Sequence, residues 1–141
     1  MSNLGLFGHS AAGTFVLEAL LEGDLPFQDY IVGEAGTFML FGTQEELVRK
    51  AKSRSPLPAR RLMYADSSDT MNSATRAMFE SNTLLNVIDT DLGVSVFRQL
   101  YDNESHTTMI PAFIKDGLLH LYGTGRTYSE RFAERVGVTT D

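Results

Sequence analysis

The stretch from Leu62 to Gly125 constrains the fold more than any other part of the sequence, because apolar runs and helical patterns alternate along it. The patterns predict strands at Arg61–Tyr64 and Leu84–Ile88, helices at about 70–80 and 94–101, and a hairpin of Ile110–Ile114 and Leu118–Tyr122 around Lys115-Asp116-Gly117. A capping-box pattern at Thr127–Glu130 then opens a last helix. Such alternation favours an α/β domain.

The first 53 residues carry a second alternating pattern. It predicts a strand at 3–8, a helix from an N-cap at Ser10 to Gly23, strands at 30–32 and 37–41, and a helix opened by the capping box Thr43–Glu46. The segment Ser53–Pro58 contains two prolines, which exclude a helix, and is the best candidate for a boundary. We therefore predict a β-α-β-β-α extension at residues 1–55 and a main domain at residues 58–141.

Composition narrows the classes of function. The chain has 141 residues, enough for one domain or one domain with an appendage. Its formal charge of −6 argues against nucleic-acid binding, and no apolar run approaches the roughly 20 residues that a membrane helix needs. The N-terminus lacks the pattern of a signal peptide, and the chain has no cysteine. We predict no nucleic-acid partner, no membrane partner, and a location in the cytoplasm or in an assembled particle.

The order of elements from about 58 to 138 resembles the thioredoxin and glutaredoxin family. Asp69-Thr70-Met71-Asn72 stands where that family has Cys-Pro-x-Cys, and Thr108-Met109-Ile110-Pro111 is similar to the segment that carries its cis-proline. Gly123-Thr124-Gly125 stands where glutaredoxins hold glutathione with Gly-Gly. The resemblance implies a three-layer α/β sandwich. It also implies a binding site made of Asp69, Thr70, Asn72, Ile110, Pro111, Gly123 and Thr124.

The resemblance implies a scaffold without redox chemistry, because disulfide exchange needs a thiolate. We therefore predict a non-catalytic module for protein binding or assembly, such as a structural subunit of a viral particle, with a protein partner or self-association and no cofactor. The alternative is an enzyme of the glutathione-transferase lineage that binds glutathione without catalytic cysteines. Residues 1–55 are either an added extension or a degenerate copy of a thioredoxin-like half.

Two other patterns carry chemistry. Gly8-His9-Ser10-Ala11-Ala12-Gly13 looks like the nucleophile elbow of α/β-hydrolases, but the strict pattern has glycine where Ala12 stands, so an N-cap role for Ser10 is favoured. His106 and His120 are available as partners of a nucleophilic serine, but any chain with three histidines yields such coincidences. The remaining polar pattern is a set of closely spaced carboxylates that we interpret as solvated loops rather than a metal site: Asp89, Asp91, Asp102 and Glu104.

Overall fold

The structure is a computed structural model that describes residues 4–35, 43–53, 59–68 and 83–123. Its strands are β1 (Gly5–His9), β2 (Asp29–Gly33), β3 (Arg61–Ser67) and β4 (Ser95–Tyr101). Its helices are α1 (Ala11–Glu22), α2 (Gln44–Lys52), α3 (Thr83–Thr90) and α4 (Met109–Tyr122). The α/β class predicted from the sequence is confirmed. None of the described helices is long and apolar enough to span a membrane.

The four strands form one parallel sheet in the order β1-β2-β3-β4. Gly5 pairs with Asp29, Asp29 with Arg61, and Arg61 with Ser95, so the strands begin nearly in line. Strands from both sides of the predicted boundary at 55–58 thus belong to the same sheet. Because all four run in one direction, their carboxyl ends meet at one edge, where α/β sheets bind ligands.

Each face of the sheet packs on its own apolar core. Alternation along a strand separates the two: Tyr30 and Leu62 face one side, and Ile31 and Met63 face the other. The first core also contains the buried faces of α1 and α3, and the second contains that of α4. Both faces are therefore covered, as a parallel sheet requires.

Two neighbouring elements, α3 and β4, differ from their predictions. Residues Leu84–Ile88 form part of helix α3 and not a strand, and residues 95–101 form strand β4 and not a helix. A short apolar run fits a buried strand and a buried helix equally well. In β4, Phe97 and Leu100 are three positions apart, which is also the spacing of an apolar stripe on a helix. Residues on both faces of this strand are partly exposed, so its sequence does not show a clear alternation of buried and exposed positions.

The predicted hairpin around Lys115-Asp116-Gly117 is also wrong, because residues Met109–Tyr122 form the continuous helix α4. A stripe at every fourth position faces the sheet, and it consists of Met109, Phe113, Gly117 and Leu121. Gly117 belongs in the helix because a Cβ there would lie 2.9 Å from the Ile31 Cδ1 and Met63 Sδ atoms. The helix therefore packs closely on the sheet at the position that suggested a turn.

Pro111 lies in the first turn of α4 and does not begin a strand. A proline is tolerated there because the first backbone N–H groups of a helix have no intrahelical partner. No peptide bond of the described residues is cis, so the cis-proline prediction for Ile110–Pro111 is wrong. The predicted elements at 37–41, 70–80 and 127–137 lie outside the described residues.

Candidate active site

Four polar residues lie at the carboxyl edge of the sheet, one at or just after the end of each strand. Ser10 follows β1, Glu34 follows β2, Ser67 ends β3, and His106 lies in the loop after β4. The loops of a parallel sheet bring these residues together although Glu34 and His106 are 72 positions apart. The set contains a hydroxyl nucleophile, an imidazole and a carboxylate, which are the groups of a serine-hydrolase triad.

Ser10 occupies a strained backbone conformation between β1 and α1. Its φ is 59° and its ψ is −124°, which a residue with a Cβ rarely adopts. Its N–H donates to the Gly33 carbonyl oxygen at 2.8 Å, which fixes the turn against β2. Ser10 is the N-cap residue of α1, as predicted, but its side chain makes no hydrogen bond that caps the helix. A sharp strand-to-helix turn with a strained serine is the geometry of a nucleophile elbow.

Glycine is needed on both sides of this turn, at positions 8 and 13 and not at position 12. A Cβ on Gly8 would collide with the Ala12 carbonyl group, and a Cβ on Gly13 would lie 2.8 Å from the Gly33 carbonyl oxygen. The side chain of Ala12 is exposed, so position 12 does not require glycine. The objection that Ala12 breaks the elbow pattern is therefore removed by the structure.

Glu34 is held by hydrogen bonds on both carboxylate oxygens. Oε1 accepts from the Ser67 backbone N–H at 3.0 Å and from the Ser67 hydroxyl, and Oε2 pairs with His106 Nδ1. Burial by itself would raise the pKa of Glu34, but the hydrogen bonds from Ser67 and His106 outweigh it and lower that pKa. The carboxylate therefore stays charged beside the imidazole.

His106 is paired through Nδ1, which leaves its Nε2 as the nitrogen that can take a proton from a nucleophile. Its ring centroid lies 4.4 Å from that of His9, the residue that precedes Ser10. Burial, and then the proximity of His106, lower the pKa of His9, although Glu34 acts in the opposite direction. His9 and the elbow thus adjoin the His106–Glu34 pair.

A second carboxyl group, Asp66, lies near Glu34 at the end of β3. Burial, and then the negative charge of Glu34, raise its pKa to about 7. Two acids with pKa values displaced in opposite directions are a common mark of functional sites. The carboxylate that stays charged is Glu34, the one paired with the imidazole.

The binding residues that the thioredoxin resemblance implied do not form one described cluster. Ile110 and Pro111 open α4 and Gly123 follows its last residue, so they lie at opposite ends of a helix about 20 Å long. Asp69, Thr70, Asn72 and Thr124 lie outside the described residues. Binding at these positions stays a prediction.

The sequence interpretation missed Glu34 of the candidate triad and treated His106 only as a coincidental partner of Ser10. Glu34 lies between the strands predicted at 30–32 and 37–41, and His106 followed a segment predicted to be helical. The one local signal was the Gly8–Gly13 motif between a strand and a helix. If residues 95–101 had been predicted as a parallel strand, His106 would have been placed at the same edge of the sheet as that motif.

Three solved structures resemble this one. The siderophore hydrolase EstA from Aspergillus nidulans matches with a TM-score of 0.68 and 18% identity, over 85% of this chain and 48% of its own. An IroE-like serine hydrolase from Shewanella oneidensis matches with a TM-score of 0.65 and 17% identity, over 96% of this chain and 48% of its own. The siderophore hydrolase EstB from Aspergillus nidulans matches with a TM-score of 0.64 and 18% identity, over 90% of this chain and 51% of its own.

The likeness shows the fold alone, which this chain shares with these solved hydrolases. The chain spans about half the length of these structures. No model of a protein family matches the sequence, and no curated protein is detectably similar to it.

These neighbours correct the interpretation of the sequence. The thioredoxin-like assignment is wrong, because the similar structures are serine hydrolases and the described strands are all parallel. The predicted non-catalytic assembly module, including the viral structural subunit, is wrong for the same reason. The glutathione-binding alternative depended on the thioredoxin-like fold and loses its support with it.

Proposed function

We propose that this protein is a serine hydrolase that cleaves esters, with Ser10 as the nucleophile, His106 as the general base and Glu34 as the residue that orients it. The observation that carries the proposal is the strained Ser10 elbow at the sheet edge that also holds the paired Glu34 and His106. A strained backbone at a half-buried polar residue persists only where the surrounding structure enforces it. The hydrogen bonds of β1 and α1 enforce it here.

The reaction follows from these groups. His106 accepts the proton of the Ser10 hydroxyl through Nε2 while the oxygen attacks the ester carbonyl carbon. The tetrahedral intermediate collapses, the carbon–oxygen bond to the alcohol breaks, and the imidazolium gives its proton to the leaving alkoxide. Water then attacks the acyl-serine with the same base and releases the acid. Glu34 stabilises the imidazolium that forms in each half of the cycle.

The start of α1 supplies a hydrogen-bond donor for the oxyanion. The N–H of Ala11 belongs to the first turn of the helix, where backbone donors have no intrahelical acceptor. In α/β-hydrolases the N–H of the residue after the nucleophile forms part of the oxyanion hole. The positive end of the α1 dipole adds to this stabilisation.

The names of the similar structures suggest which ester to try. Two are siderophore hydrolases, and another is an enterobactin and salmochelin hydrolase at 24% identity, over 84% of this chain and 46% of its own, with a TM-score of 0.58. Siderophores are therefore the first natural substrates to test, beside a simple activated ester.

The test is hydrolysis of a short-chain p-nitrophenyl ester by the purified protein and by a Ser10→Ala variant. We expect Ser10→Ala to lower kcat by about 10⁴-fold or more, because the reaction loses its nucleophile. Ser95→Ala is the matched control, since Ser95 is an exposed serine at the start of β4, and it should retain the full rate.

Glu34→Gln separates the orienting role from the nucleophile. It should keep KM and lower kcat, because the amide can still hydrogen-bond to the ring but cannot stabilise the imidazolium. Equal hydrolysis by wild type and Ser10→Ala, or covalent labelling by a fluorophosphonate at another residue, would show that Ser10 is not the nucleophile.

A further inference from the structure

Three potential metal ligands lie together at the carboxyl edge of the sheet: His9 at the end of β1, Glu34 after β2 and His106 after β4. One ligand atom from each residue lies within 4.8 Å of those of the other two. We propose that these three side chains form a binding site for a divalent transition metal, zinc above all, whose occupation reversibly inhibits the hydrolase. The inhibitory role rests on the proposed function, whereas the binding does not.

The donor set matches the chemistry of zinc. Two imidazole nitrogens and one carboxylate oxygen form a set that zinc proteins use, with the fourth position left to water. Bonds of about 2.0–2.2 Å place tetrahedral donors roughly 3.4 Å apart. Donors separated by up to 4.8 Å must therefore approach by about an ångström, whereas the hydrogen-bonded Glu34 and His106 must move apart to admit the ion. His106 provides that adjustment and a path for the ion, because its side chain is 47% exposed.

His9 provides the observation that is independent of the triad. Its Nε2 is buried and has no hydrogen-bond partner within the part of the chain that the structure describes. Buried polar atoms are nearly always satisfied, so an unsatisfied ring nitrogen indicates a missing partner. A metal ion is a partner that would also explain why His9 stands beside a second imidazole and a carboxylate.

Metal binding would interfere with the reaction at a defined point. The ion needs the Glu34 oxygen and a His106 nitrogen, so it replaces the hydrogen bond between them. An imidazole bound to the ion cannot be oriented by Glu34 and accept the Ser10 proton as the reaction requires. Zinc should inhibit and a chelator should restore activity. Mg²⁺ and Ca²⁺, which prefer oxygen ligands, should have no effect.

The first measurement follows binding and not activity. Zinc is titrated against the purified protein in competition with a chromophoric zinc indicator, and the d–d absorption of bound Co²⁺ reports the coordination number. We expect one ion per chain and a tetrahedral cobalt spectrum. His9→Gln should weaken zinc binding by about tenfold or more, because one of three protein ligands is lost.

His120→Gln is the matched control. His120 is an exposed histidine of α4 that stacks on Phe97, with ring centroids 4.1 Å apart, and it lies outside the cluster. Its variant should bind zinc as the wild type does. If His9→Gln fails to fold, His106→Gln takes its place in the binding measurement alone, since the His106 side chain is 47% exposed in a loop and its replacement should affect folding little.

The second measurement is the zinc concentration that halves ester hydrolysis, taken for each variant relative to its own uninhibited rate. It should rise in His9→Gln by the same factor as the dissociation constant and stay unchanged in His120→Gln. Zinc binding that is unaffected by His9→Gln and His106→Gln would overturn the metal site. Stoichiometric binding that depends on His9, in a protein without esterase activity, would support the site and contradict the proposed function.

Discussion

At the scale of single residues, the candidate site contains two acids whose pKa values are shifted in opposite directions. Hydrogen bonds from Ser67 and His106 keep Glu34 charged, whereas burial and the charge of Glu34 raise the pKa of its neighbour Asp66 to about 7. The arrangement gives the imidazole one charged partner. It also makes folding stability depend on pH through Asp66.

We predict that this stability falls as the pH rises from about 4 to about 7. In that window the folded state holds the Asp66 proton, because its pKa is about 7, and the unfolded state has lost it, because its pKa is about 3.9. Asp66→Asn should remove this dependence and raise the free energy of unfolding at pH 8 by about 1–3 kcal/mol. Urea unfolding at pH 5 and pH 8 measures both effects.

Asp24→Asn is the control, since Asp24 is exposed in the loop after α1 and its change should stay within about 0.5 kcal/mol. Below this window, the lowered pKa of Glu34 acts in the other direction, because stability is lost as the pH falls through it. An Asp66→Asn protein with the wild-type decline between pH 4 and 7 would mean that Asp66 does not cause it.

At the scale of elements, the turn from β1 to α1 is where the sheet and the site are coupled. Gly8 allows the first turn of α1 to approach β1, and Gly13 allows the helix to approach β2. The backbone strain at Ser10 is offset by this close packing and by the hydrogen bond to Gly33. The elbow therefore acts as one unit of strand, turn and helix.

Gly8→Ala should disrupt that unit. The added methyl group meets backbone atoms, among them the Gly13 nitrogen at 2.9 Å, which cannot move without shifting α1. We expect a loss of about 1–3 kcal/mol in the free energy of unfolding, measured by chemical denaturation, and a lower esterase rate. In the control Gly5→Ala, the new methyl group meets the Tyr122 hydroxyl at 2.8 Å, the end of a flexible side chain. Equal losses for the two variants would contradict the close-approach argument.

At the scale of the whole molecule, the described part is held together across the boundary predicted at 55–58. The first core joins Val16, Leu20 and Tyr30 from before it to Leu62 and Ile88 from after it. These side chains are almost completely buried, so separating them would expose a large apolar area at about 25 cal/mol per Å².

A fragment of residues 58–141 should therefore not fold alone. We expect no cooperative thermal transition and no dispersed amide spectrum, because the fragment lacks α1, β1 and β2. Adding the separately prepared fragment 1–57 should restore a cooperative transition if the sheet is the unit of folding. A fragment 58–141 that melts cooperatively by itself would support the two-part division predicted from the sequence.

The partner and location predictions are not tested by the fold. Self-association or a protein partner, the absence of nucleic-acid and membrane partners, and a cytoplasmic location stay predictions. Among the described strands β1 is an outer strand, and the large apolar side chains exposed on or near it suit association with another polypeptide. They are Leu4, Phe7 and Phe15, of which Phe7 is 62% exposed.

Local rules predicted the elements whose signals lie within a few residues. The stripe of α1 and its end at Gly23, whose φ is 78°, were correct. The capping box was also correct, because Thr43 Oγ1 accepts from the Glu46 N–H at 3.2 Å and Glu46 Oε2 accepts from the Thr43 N–H at 2.8 Å. Strand β3 was also predicted correctly, at Arg61–Tyr64, although in the structure it continues to Ser67.

Tertiary structure decided the rest. Whether 84–88 and 95–101 became helix or strand depended on which surface covered them, and the helix through Gly117 exists because the sheet approaches it closely. Local sequence patterns could not predict the site, because Glu34 and His106 come together only through the parallel order of the four strands. The sequence determined that Ser10 stands between a strand and a helix, and only the sheet decided which side chains surround it.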